Sequence, residues 1–78
     1  MHKRDALHLR AGDRLGYGDS MWSIEVEKQN SYREGVVVRV TPNGGILVKN
    51  DYGRELWVPY HYVVDVLERV PRSGRRTN

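Results

Sequence analysis

Residues 36–58 read VVVRV-TPNGG-ILVKN-DYGR-ELWV: three aliphatic segments separated by two glycine-bearing turns. Their β-branched and aliphatic content reads as strand. Two turns of this length fold the three segments back on one another as antiparallel hairpins. Register is then constrained, because a slip of one residue sends every side chain to the opposite face. A loop of Asn43, Gly44 and Gly45 pairs Val40 with Val48, in the three-residue pattern that closes on a left-handed glycine. The same rule at Asp51, Tyr52 and Gly53 pairs Val48 with Leu56 and Ile46 with Val58. Together they predict one interior: Val36, Val38, Val40, Ile46, Val48, Leu56 and Val58. The outer face then carries two cross-strand rows, Arg39–Lys49–Glu55 and Thr41–Leu47–Trp57. Lys49 opposite Glu55 is a favourable pair. Leu47 beside Trp57 is an apolar couple that something should cover.

Further strands are expected on either side. "LHLRAGDRL" places Leu7, Leu9 and Leu15 around an Ala-Gly-Asp turn, and "MWSIEVEKQ" alternates Trp22, Ile24 and Val26 with Ser23, Glu25 and Glu27. "VVDVL" supplies a last strand. Residues 1–6 are expected to be a flexible basic N-terminus, 7–68 the folded domain, and 69–78 a disordered basic tail.

At 78 residues the chain is one domain with a thin margin of stability and little room for an enclosed active site. It contains no cysteine, which removes disulfides and thiolate metal sites. No apolar run reaches signal-peptide or membrane-spanning length, and a cytoplasmic location is the expectation. The net charge of +3 is unevenly distributed. Residues 13–68 carry six basic side chains against nine acidic, hence −3, while the flanks carry seven basic against Asp5 alone, hence +6. Basic ends of this kind are suited to an anionic polymer.

"GRELWVPYHYVVDVL" resembles the C-terminal end of an SH3-like barrel. There a glycine hairpin leads to a short strand, then Pro-x-x-Tyr-Val on one 3-10 turn, then a last strand. Gly53, Pro59-Tyr60-His61-Tyr62-Val63 and Val64 to Leu67 stand at those places. The resemblance implies an all-β fold, a five- to six-stranded small barrel with a 3-10 turn before its last strand. In peptide-binding members the equivalents of Pro59 and Tyr62 line a groove for proline-rich segments. This chain departs from them: it has no Ala-Leu-Tyr-Asp-Tyr segment, only Tyr17 in "LGYGD", and no tryptophan pair before "GVVV". The same region is similar to the small DNA-binding barrel of integrases. Gly12-Asp13-Arg14-Leu15 with Gly35-Val36-Val37 is similar to Tudor-like and KOW-type modules. These likenesses imply work near nucleic acid.

The chemistry-bearing residues point the same way. His2, His8 and His61 lack metal-ligand spacing, no serine has a base beside it, and the glycines are turn residues, so no catalysis, metal or cofactor is expected. Arg39, Lys49 and Arg54 lie on or beside the outer sheet with Trp57, Tyr52 and Tyr60 close by, a mixture that stacks bases and tracks phosphates. Arg72, Arg75 and Arg76 add cations in the tail. The reading is a small non-catalytic module that binds DNA or RNA. The alternative is protein binding or self-association through Leu47, Trp57, Pro59 and Tyr62. Glu25, Glu27 and Glu34 would oppose phosphate binding if they shared the face.

Overall fold

The computed structural model describes residues 1–18 and 32–71. The alternating strand expected at residues 22–26 and the tail arginines Arg72, Arg75 and Arg76 lie outside the described residues.

Five strands form one antiparallel sheet: β1 (Arg14–Tyr17), β2 (Arg33–Val40), β3 (Gly45–Asn50), β4 (Glu55–Pro59) and β5 (Val63–Glu68), in the order β4-β3-β2-β1-β5. A 3-10 turn, Tyr60–Tyr62, sits between β4 and β5. Pro59 precedes it with φ −62, the value its ring imposes and a natural entry to a tight turn.

The β3–β4 hairpin has the expected register. Val48 faces Leu56, Ile46 faces Val58, and Lys49 faces Glu55. Its loop closes as the sequence predicts, with Asn50 N–H donating to the Arg54 carbonyl and Gly53 at φ +85.

The β2–β3 hairpin differs from expectation in two ways. Its loop is Pro42-Asn43-Gly44, one residue earlier, because Thr41 N–H donates to the Gly45 carbonyl and Gly44, at φ +89, takes the left-handed position. Thr41 Oγ1 fixes this choice by accepting from Gly45 N–H at 3.0 Å and approaching Asn43 Oδ1 at 2.6 Å. Val40 therefore faces Ile46 rather than Val48. The ladder then slips between Val37 and Arg39, leaving Val38 without a partner. A bulge of this kind adds twist and exchanges the faces of the residues around it. Val37 is the buried residue and pairs with Val48; Val36 and Val38, expected inside, are half-buried and outside the core cluster. Three consecutive valines are apolar in either parity, so the pattern could not choose between them.

The core comprises Ala6, Leu9, Leu15, Tyr17, Val37, Ile46, Val48, Val58 and Val63, with Val40, Leu56 and Val66 packed against it. The N-terminal segment contributes to it. Residues 1–6, read as a flexible arm, contain a helical turn, α1 (Lys3–Ala6), whose Ala6 is fully buried. Leu7 is exposed and Leu9 is buried outside any strand, so the first strand begins only at Arg14. Asp13, fully buried, joins the two ends of the fold: its carboxylate accepts Arg10 N–H at 2.9 Å and Val70 N–H at 2.8 Å. Among the described residues no helix is long and apolar enough to cross a membrane.

Candidate nucleic-acid interface

The outer face of β2, β3 and β4 carries Arg39, Leu47, Lys49 and Trp57 of the candidate residues, in a different arrangement from the one expected. The bulge at Val38 places Arg39 opposite Leu47, which in turn faces Trp57. The row is Arg39–Leu47–Trp57, not Thr41–Leu47–Trp57. Lys49 now faces Val36, so the like-charge neighbours expected at Arg39 and Lys49 are separated. Arg39 lies over the Trp57 ring, with its guanidinium carbon 5.5 Å from the ring centroid. The apolar couple of Leu47 and Trp57 is thus partly covered, and what covers it is a cation. Trp57 remains 52% exposed, enough to offer an aromatic surface.

Lys49 and Glu55 are cross-strand partners, but no ion pair forms between them. Among the described residues Arg39, Lys49 and Arg54 form no ion pair, while Arg14 forms two. Arg14 Nη2 donates to Glu34 Oε1 at 2.9 Å and to Asp51 Oδ2 at 3.1 Å, and Nε donates to the same Glu34 oxygen at 3.2 Å. These hydrogen bonds, Asp51's first and Glu34's second, raise the Arg14 pKa above its ordinary value. Glu34, an acid expected to repel phosphate, is therefore compensated, as is Asp51. Of the acids on the outer face, Glu55 alone is left without an ion pair among the described residues.

The remaining candidates are more dispersed. Tyr52, at the tip of the β3–β4 turn, is 95% exposed, and Arg54 is exposed beside it. Tyr60 lies at the other end of β4. Its ring packs on Gly44, where a Cβ would come within 2.8 Å of Tyr60 Cδ2. Tyr60, His61 and Tyr62 form an edge-to-face series with centroids 5.1 Å apart at each step.

Two clefts flank β4. One, of about 220 Å³, is lined by Tyr17, Arg33, Leu56, Trp57, Pro59 and Tyr62, among others. It brings together three of the four residues named for protein binding; Leu47 is not part of it. The second, of about 300 Å³, lies between Trp57 and Tyr60 over Gly44 and Gly45. A third, polar hollow of about 450 Å³ includes Tyr32, Arg33, Glu34, Asp51 and Tyr52. Burial pushes the phenol of Tyr17 up, with Arg33 drawing it back down; Tyr32 is also raised, chiefly by desolvation.

Arg14 was legible only as one charge among many. Its role depends on β1 pairing beside β2 and on the β3–β4 turn reaching over it, neither of which leaves a local signal. Among the described residues no group of three or more His, Asp or Glu is placed to hold a metal ion. No protein-family model matches the chain, and neither does any curated protein or solved structure.

Proposed function

We propose that this protein is a non-catalytic binding module with an SH3-like barrel that holds nucleic acid on the outer face of β2, β3 and β4. The strand order β4-β3-β2-β1-β5 and the 3-10 turn before β5 support the barrel reading. The observation that carries the functional reading is the row Arg39–Leu47–Trp57, in which a cation and a half-exposed indole share one surface. Aromatic faces stack on bases while cations follow phosphates. Lys49 and Arg54 extend the positive surface, and Arg14 compensates two acids, Glu34 and Asp51. Arg72, Arg75 and Arg76 add charge that a polyanion would use.

The test is titration with single-stranded and duplex DNA and RNA across a salt series. Binding should be tightest at low salt and weaken linearly in log-log form, because releasing condensed counterions gains less entropy as bulk salt rises. Absence of binding to all four at low salt overturns the reading.

A second reading has one specific observation in its favour. Tyr17, Trp57, Pro59 and Tyr62 meet in the cleft of about 220 Å³ beside β4, a place where an extended peptide could lie against an aromatic wall. Retention of a protein partner that is lost on Tyr62→Ala, together with indifference to oligonucleotides, would favour it.

A further inference from the structure

The second cleft, between Trp57 and Tyr60, has a different character. Its floor is bare backbone: Gly44 and Gly45 lie between the two aromatic walls. A Cβ on Gly45 would stand 3.7 Å from Trp57 Cε3, and one on Gly44 would press on Tyr60 and reach within 3.2 Å of Lys3 Cγ. Pro59 and His61 complete the walls, and Asn43 stands at the mouth. Two cations lie close to its lining residues: Lys3 beside Gly44, and Arg39 over Trp57. Among the described residues no acidic side chain lines it.

We propose that this cleft takes one unpaired nucleobase, so that the ligand of the module is a single strand rather than a duplex. The inference rests on the nucleic-acid reading above and narrows it. Size comes first. About 300 Å³ stands at the lower end of the range that holds a small ligand, and it does not admit a helix. Shape comes second. Two aromatic walls accept a flat ring by stacking, and a base exposes its faces only when it is out of a duplex. Charge comes third. Lys3 and Arg39 close by suit the phosphates that flank a stacked base, and they would repel a cationic guest such as a methylated lysine. Lys3 thereby joins the interface although it lies far from Trp57 in the chain; α1 packs against the 3-10 turn and brings it there.

The test uses the full chain with Trp22→Phe, so that Trp57 is the sole indole. A single strand of about twelve nucleotides and a duplex of the same length are titrated at low salt. The single strand should bind about tenfold more tightly and quench Trp57 emission, as stacking requires. Tyr60→Leu should remove about tenfold of the single-strand affinity and with it the preference over duplex, whereas Tyr60→Phe should restore both. Thermal unfolding of each variant establishes that it is folded; should Tyr60→Leu fail to fold, the strand preference and the quenching decide. Equal affinity for both forms, or binding without quenching, overturns the base cleft while the broader reading stands. No binding to either form overturns both.

Discussion

Arg39 lies over the ring of Trp57, 5.5 Å from its centroid, although a full strand separates the two. The extra residue in β2 is what aligns them, by shifting Arg39 opposite Leu47. At an exposed site such a contact is worth about 0.5–1 kcal/mol. Arg39→Gln should lower stability by no more than that, measured by urea unfolding. Its effect on oligonucleotide binding should be larger, with a slope of log affinity against log salt reduced by about one.

Arg14 should matter to binding without touching the ligand. It holds Glu34 and Asp51 in one bifurcated arrangement. Arg14→Gln uncovers both carboxylates beside the basic face. Affinity for a single strand should fall at low salt, and the difference from wild type should shrink as salt screens the added charge. An equal loss at all salt concentrations would show structural damage instead.

Asp13 is the polar residue on which the ends of the fold depend. Its buried carboxylate accepts the backbone N–H groups of Arg10 and Val70. Asp13→Ala strands both donors, and hydrogen bonds to a charged acceptor are worth about 1.5–3 kcal/mol each. A destabilisation of roughly 3–6 kcal/mol is expected by chemical unfolding, and amide exchange at Arg10 and Val70 should accelerate first.

Gly35 faces inward on β2, where a Cβ would run into Val48 Cγ1 and stand 2.9 Å from the Lys49 carbonyl oxygen. The backbone oxygen cannot turn aside. Gly35→Ala should cost about 1–3 kcal/mol by overpacking. Gly53→Ala meets nothing within 4 Å and suffers only from φ +85, for which about 1–2 kcal/mol is expected. Unfolding midpoints of the two variants check these values.

Tyr17 gives the fold an alkaline limit. Burial raises its phenol above the ordinary value of 10.0. The unfolded chain therefore loses this proton before the folded one does, so stability is complete below about pH 10 and declines as pH rises above it. Tyr17→Phe should flatten that decline without removing it, because Tyr32 is raised as well. Urea midpoints measured on either side of pH 10 test the sign.

The sequence made the second hairpin legible down to its cross-strand pairs, because Ile46, Val48, Leu56 and Val58 fall in one parity across a three-residue turn that Gly53 marks. It also located the 3-10 turn after Pro59 and the strand that follows. The first hairpin was less legible. Val36, Val37 and Val38 are equally apolar, so periodicity could not assign a face, and Thr41 chose the turn through its hydroxyl rather than through hydrophobicity. Ala6 and Asp13 were missed for another reason. A small residue and a charged one announce burial only when the partners are known, and those partners lie elsewhere in the chain. The interface suffered accordingly: its residue types were recognisable, but the neighbour of Trp57 was not.

Val38 gives β2 one residue more than its neighbour can use. A deletion inside a strand ordinarily inverts all that follows. Here, removing Val38 would leave Val37 facing Val48 and Arg39 facing Leu47 as adjacent steps of an unbroken ladder. The interior would be spared, and the local coil of the sheet would relax. The length of this one strand thus tunes local coiling without rewriting what lies inside the domain.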